Sequence, residues 1–404
     1  QSLLIFLPFI LFVVTTEMAM AEYLSLPKDT NGWTIFTPDS NSRICYVSAV
    51  EDAGEGGDSG GGSYYAYDAA ELGGDWTNPG TDVDVYPNFS SAFADTRDGY
   101  PDYILFLRGE TFDISGLGDL THSGYSATAP FVIGSYGPSG DIPIIETGTS
   151  AAFWIMHADD YIAVFGIEFY ANDRDPYNGG RITSGTRGVW IYSDRGESAE
   201  GILIEGCKFS FYTFNMTIEA ASQFSNSVEL RRNIFEYSYN EESYASGLYA
   251  HDISALLIEE NIFYHCGWLI QGYGSNSRTD GMAMDGNHCI YTVDISDLTI
   301  NRNILIDPSF AGAKIESYDN ITTGATLENN LFLGCEMGFE IGPNNYGNLD
   351  YRFNAMSVNN NVITNTGRNN ATGHDLAVSA ALAGLDGSTF NNNLVINQDS
   401  VLCT

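Results

Sequence analysis

Along its second half the chain alternates apolar and polar positions in short runs that return at a regular spacing. In "LIEENIFY" (257–264), Leu257, Glu259 and Asn261 interleave with Ile258, Glu260 and Ile262. That is a period of two residues, the pattern of a strand rather than a helix. Related units are "VELRRNIF" (228–235), "LTINRNIL" (298–305), "ATLENNLF" (325–332), "MSVNNNVI" (356–363) and "STFNNNLV" (388–395). Their shared Asn falls at 233, 261, 303, 330, 361 and 393, giving gaps of 28, 42, 27, 31 and 32 residues. Such a recurrence marks a solenoid. Strand, turn and strand in one coil per repeat predict an all-β, single-stranded parallel β-helix.

Stacking coils bring equivalent positions about 4.8 Å apart. Identical Ile, Leu and Phe side chains then pile up inside, and an inward Asn can hydrogen-bond its copies above and below through its amide. The repeated Asn is therefore read as structural. "ILIEGCKF" (202–209) puts Cys207 in that place, and Ile167 takes it on an earlier coil.

A second strand precedes each Asn unit: "GVWIYSD" (188–194), "GLYAHDIS" (247–254), "IYTVDIS" (290–296), "GAKIESYDN" (312–320), "GFEIGPN" (338–344) and "DLAVSAA" (375–381). "HDIS" and "VDIS" stand at the same distance before their Asn, which sets the register. Tyr249 and His251 then share an outward face, with Tyr291 beside Tyr249. Lys314, Glu316 and Glu340 continue this face one way; Trp190 and Tyr192 continue it the other. Aromatic faces and polar tips in a row suit a groove for a long glycan. The 42-residue gap holds "LIQGYGSNSRTDGMAMDGNH" (269–288), an insertion expected to wall that groove.

Composition narrows the partner. The 404 residues carry 52 acidic and 16 basic side chains, a net charge of −36. Such a chain lacks the cations that bind nucleic acid or an anionic membrane. Its acidic surface is either simply solvated or binds divalent cations. The six cysteines form no C-x-x-C pair; buried thiols are expected, with a Cys266–Cys289 disulfide as the alternative. The apolar run Leu3–Val14, followed by Ala19-Met20-Ala21, reads as a secretory signal peptide over 1–21, so export is expected. Residues 22–150, with an acidic Gly-rich loop at 51–63, are assigned to an N-terminal cap and the first coils, and 151–404 to the remaining coils. Truncation at both ends is expected.

"CYVSA", "DYILFLRGETF", the repeated Asn units and "IFYHCGW" followed by "NHCIYT" resemble the right-handed parallel β-helix proteins of the pectate-lyase-like superfamily. The resemblance spans most of 43–395. It implies a carbohydrate-active protein acting in a groove on the outer face of the helix. "SRTDGMAMDGNH" (277–288) is similar to part of the polygalacturonase-like pattern, but the Asp-Asp pair and Gly-His-Gly are missing. "KIESYDN" (314–320) is similar to the Ser-Lys-Ser strand of the alginate and chondroitin lyases, with Glu316 in the Lys place and no Arg one coil later.

The expected activity is β-elimination on an acidic polysaccharide. Such a reaction needs a base for the C5 proton, an acid for the leaving oxygen and a cation on the uronate carboxylate. Lys314, His251, Tyr249, Tyr291 and His288 are the candidate base and acid. Trp190, Tyr192, Arg278 and Glu340 are the candidate substrate contacts. Asp280, Asp285 and Glu316 could hold Ca²⁺. His265 is read as packing, and Asp252 and Asp294 as turn caps. The expected state is a monomer whose partner is a polysaccharide. The alternatives are a non-catalytic adhesin on the same fold, and a hydrolase using Glu316 with Glu340 or Asp285.

Overall fold

A computed structural model describes residues 23–49, 67–68, 76–79, 85–156, 159–179, 185–193, 198–240, 243–269, 286–317, 322–343, 353–364, 377–380 and 387–396. Among these, strands stack in parallel into three columns. The first column, called here the site sheet, runs from Gly118–Asp119 through Phe153–Met156, Arg187–Ser193, His288–Val293, Ala311–Ser317 and Met337–Pro343 to Val378–Ala380. The second runs from Arg43–Val47 to Thr389–Asn391, and the third from Thr111–Asp113 to Leu394–Ile396. Two long strands, Phe214–Arg231 and Ser246–Glu259, serve the first and second columns in turn, with register shifts at the bend. This is a parallel β-helix. The right hand is the one that parallel crossovers take.

The third column shows what the repeated "NIF" encodes. Its Phe faces inward, and Phe169, Phe209, Phe235 and Phe263 form a continuous stack with centroids 5.3, 5.5 and 4.7 Å apart. The residue before each Asn adopts a left-handed conformation: Arg232, Glu260, Arg302, Asn329, Asn360 and Asn392 all have φ of 55–58°. That turn leaves backbone groups unpaired, and the buried Asn side chain pairs them. Asn261 Nδ2 donates to the Leu230 carbonyl (2.8 Å) and to Asn303 Oδ1 (3.0 Å). Asn261 Oδ1 accepts from the Asn233 amide (2.9 Å) and from Asn233 Nδ2 (3.1 Å). The ladder runs on through Asn330, Asn361 and Asn393. Cys207 ends it, its amide donating to Asn233 Oδ1. Cys266 and Cys289 are free buried thiols, the first of the two readings of that pair.

The outward face of the second column changes along the rod. Ile44, Tyr46, Tyr103, Leu105, Val132 and Ala163 form an apolar cluster outside the helix. The N-terminal segment covers it: Phe36 stacks on Phe165 at 4.6 Å, and the Thr34 amide donates to Glu205 Oε2. Further along the face is polar. There Glu229 is buried, and the loss of water pushes its carboxyl up to about 7, against the nearby Lys28 and Arg231.

Folded Glu229 thus holds its proton up to about pH 7, while an unfolded chain releases it near 4.5. The folded state binds more protons between those values, so this group's contribution to stability falls as pH rises from about 4.5 through 7. Glu229→Gln is expected to stabilise the protein at pH 8 by about 1–3 kcal/mol and to change little at pH 5. Thermal melts at the two pH values test this. Equal Tm differences at both would show that Glu229 is ionised throughout.

Candidate active site

On the site sheet, outward residues fall into two parallel rows. One is Asp119, Trp154, Trp190, Thr217, Tyr249, Tyr291, Lys314, Glu340 and Ser379. The other is Met156, Tyr192, Glu219, His251, Val293 and Glu316. The register expected from the sequence therefore holds for Tyr249, Tyr291, His251, Lys314, Glu316, Glu340, Trp190 and Tyr192.

A pocket of about 420 Å³ opens on these rows, lined among others by Arg187, Thr217, Glu219, Tyr249, His288, Tyr291 and Lys314. The rings of Tyr249 and Tyr291 lie 5.4 Å apart. The Tyr291 hydroxyl donates to Glu316. Burial and that contact hold its phenol far above the usual range. Burial likewise pushes Tyr249 up to about 12, with Glu219, Asp252 and Glu316 adding to the shift. Both tyrosines keep their protons at ordinary pH. Lys314 Nζ lies 3.6 Å from Glu316 and 3.8 Å from Glu340, and 5.4 Å from the Tyr291 ring centre. Two carboxylates thus flank the Lys314 amine. Arg187 lies across the pocket, 3.5 Å from Glu219 and over the Trp190 ring.

His288 ends the insertion and is the first residue of its strand, with its side chain fully buried. Its ring packs at 5.2 Å on Tyr291 and 5.8 Å on Phe310. Neither ring nitrogen has a hydrogen-bond partner in the protein. Burial, with Lys314 nearby, holds its pKa well below the usual value, so the imidazole is neutral. Thr217 Oγ1 and Arg187 Nε, which line the same pocket, are also buried and unpaired.

Arg278, Asp280 and Asp285 lie outside the described residues. Glu316 is committed to Tyr291 and Lys314, which leaves it a poor calcium ligand. Among the described residues the group spaced to hold a metal is His251, Asp252 and Asp294, whose ligand atoms lie within 4.8 Å of one another. An imidazole with two carboxylates suits a transition ion better than Ca²⁺, which takes six to eight oxygens. Asp252 and Asp294 occupy left-handed turn positions, φ 60° and 53°, in keeping with their reading as turn residues. His265 packs on Trp268 and bonds Asp307, also as read.

No protein-family model matches the sequence, and a search of curated proteins finds no match. Solved structures do show similarity. An alginate lyase from Paenibacillus sp. is 13% identical, with a TM-score of 0.37, over 78% of this chain and 95% of that one. A lacto-N-biosidase from Eubacterium ramulus is 12% identical, TM-score 0.36, over 89% and 57%. A mannuronan C-5 epimerase module from Azotobacter vinelandii is 12% identical, TM-score 0.32, over 75% and 89%. The fold assignment rests on strand register, not on these scores. No described helix is long and apolar enough to cross a membrane.

Thr217, Glu219 and Arg187 went unread in the sequence. The segment "FNMTIEAASQF" has no Gly, Pro or Asp to end its strand, so the pattern of second strands passes over the one that precedes "VELRRNIF". Aligning Thr217 with Tyr249 by register would have found it.

Proposed function

We propose that this protein is a polysaccharide lyase that cleaves a uronate-containing chain by β-elimination at the Tyr249–Tyr291 pocket. The observation that carries this is the unmet hydrogen bonding of His288, Thr217 and Arg187 around one pocket. A buried polar group without a partner costs about 1–3 kcal/mol, so such a cluster is kept for a ligand. Arg187 and Lys314 face the uronate carboxylate. Neutral His288 accepts the C5 proton. The C5–H and C4–O bonds break and the C4–C5 double bond forms. Tyr249 donates its proton to the leaving oxygen. Tyr291 is already committed to Glu316 and holds Lys314 in place.

Hydrolysis fits less well. Glu219 and Glu316 stand three strand steps apart in register, about 14 Å along the rod. A retaining pair needs about 5–5.5 Å and an inverting pair about 6.5–9.5 Å. Glu316 and Glu340 share Lys314, which holds them both as its counter-ions. The apolar run Leu3–Val14 supports export, where such polymers are met.

The test is incubation with a panel of uronate-containing polymers while following ultraviolet absorbance of unsaturated ends. Absorbance is expected to rise, with and without calcium and also with a chelator, because Arg187 and Lys314 supply the positive charge. New reducing ends without absorbance would mean hydrolysis. Turnover abolished by the chelator would move the carboxylate contact to a metal.

A further inference from the structure

We infer that the protein carries a second glycan site on another flank of the rod, taking an acidic sugar whose carboxylate or sulfate pairs with Arg108 and whose C–H face lies on Trp33. Such a site stands whether or not the first pocket performs elimination. A cavity of about 630 Å³ opens where the second column turns towards the third, and it shares no lining residue with the Tyr249–Tyr291 pocket. Its volume falls in the range of about 300–1,000 Å³ usual for small-molecule sites. The turns of successive coils form one wall, with Ser135, Phe165 and Glu205 among them. The N-terminal segment forms another, with Trp33 and Phe36.

Arg108 supplies the charge. Acidic side chains outnumber basic ones by 52 to 16, and Arg97, Arg187, Arg231, Arg232 and Arg302 each face a carboxylate. Arg108 does not. Its Nε donates to the Gly140 carbonyl (3.2 Å) and its Nη1 to Ser135 Oγ (3.3 Å), both neutral oxygens, and no described carboxylate pairs with it. The guanidinium is thus held in place with its charge uncompensated. Glu205 is the one described carboxylate lining this cavity. It is buried and already engaged by Arg231 (3.3 Å), by Arg232 (3.8 Å) and by the Thr34 amide. Trp33 supplies the platform. The Arg232 guanidinium covers one face at 4.5 Å, and the ring edge rests over Gly206, where a Cβ would come within 3.1 Å of it. The indole is held on those two sides, yet it stays 44% exposed. Beside it Phe36 and Phe165 stack at 4.6 Å. An acidic pyranose uses both parts, laying its C–H face on the ring and its anionic group on the guanidinium fork. A neutral sugar uses only the first, and an inorganic anion only the second. A polymer held here stays near the first pocket, which raises its effective concentration there.

The test reads the site through Trp33 itself. The chain has five tryptophans, so protein labelled with fluorotryptophan gives a small set of fluorine NMR signals, and Trp33→Phe identifies the one from Trp33. The full chain is titrated with a uronate oligosaccharide, a sulfated oligosaccharide, a neutral oligosaccharide of the same length, and inorganic sulfate. The Trp33 signal is expected to shift and saturate with an acidic oligosaccharide, and which of the two acts tells carboxylate from sulfate ester. The neutral oligosaccharide and sulfate alone should bind at least about tenfold more weakly. Arg108→Gln should weaken the acidic ligand by at least about tenfold, Arg108→Lys by less, and Lys314→Ala should leave the Trp33 response unchanged. No shift with either acidic oligosaccharide would overturn the inference. So would an equal response to the neutral oligosaccharide or to sulfate alone, or unchanged affinity in Arg108→Gln. The comparison of ligands on the unmodified protein decides the matter even if a variant folds poorly. Absorbance of unsaturated ends is read on the same oligosaccharides. A Trp33 response without such ends would keep this site and remove the lyase reading; unsaturated ends with a silent Trp33 would do the reverse.

Discussion

Replacing His288 with leucine is expected to abolish turnover while raising the melting temperature. The two effects come from one feature. The imidazole is fully buried with two unpaired nitrogens, so it lowers the stability of the empty protein. Leucine fills similar space and leaves no polar atom unpaired, a gain of about 1–3 kcal/mol. Loss of the base should cost about 10²–10⁴-fold in rate. Tyr249→Phe should cost a similar factor in kcat, through loss of the acid. The pH profile separates function from packing. Because the folded imidazole has a lowered pKa, the rate should not fall as pH drops through 6.5. Stability behaves otherwise. Below 6.5 the unfolded chain takes up a proton that folded His288 refuses, so stability declines as pH falls from there, and His288→Leu should remove that decline. A leucine variant that retains activity would end the assignment of His288 as base.

Asn303→Leu should damage the fold more than any change at the pocket. Asn303 Nδ2 donates to the Ile258 carbonyl and to Asn330 Oδ1, and its Oδ1 accepts from the amide and side chain of Asn261. Leucine removes the side-chain partner of the Ile258 carbonyl and leaves the Asn261 amide and one Asn261 side-chain N–H unpaired in the core. At about 1–3 kcal/mol each, the loss is comparable with the whole stability of an ordinary domain, about 5–15 kcal/mol. The expected result is little soluble protein, or a Tm lower by more than about 10 °C followed by circular dichroism. A shift of one or two degrees would mean that the ladder is dispensable.

The repeats were readable because stacking turns each core position into a copied letter. The Phe column and the Asn ladder appear in the sequence as "NIF" and its relatives, and one known register fixes the next. The Tyr249–Tyr291–Lys314 row followed from that register alone. His288 did not. Sequence shows a His after a loop; only packing against Tyr291 and Phe310 shows that it is buried and neutral. The coil holding Thr217 and Glu219 was hidden because its strand runs through the bend without a turn residue. Trp154 was hidden because "FWIM" belongs to a coil without the Asn motif. Lys314 was visible as a residue, but its role came from Glu316 and Glu340, which sit on either side of it in space.

The N-terminal segment ties itself to coils far along the chain. Arg231 and Arg232 donate to the carbonyls of Gly32 and Asn31, and the Arg232 guanidinium lies over Trp33 at 4.5 Å. A ribosome adding 5–20 residues each second needs roughly 10–40 s to make the intervening two hundred. During that interval the outer cluster around Tyr46, Leu105 and Val132 has early-made partners such as Tyr67 and Trp76, but the segment at 31–33 lacks its anchors. A newborn chain therefore carries a loosely tethered leading segment until its middle arrives.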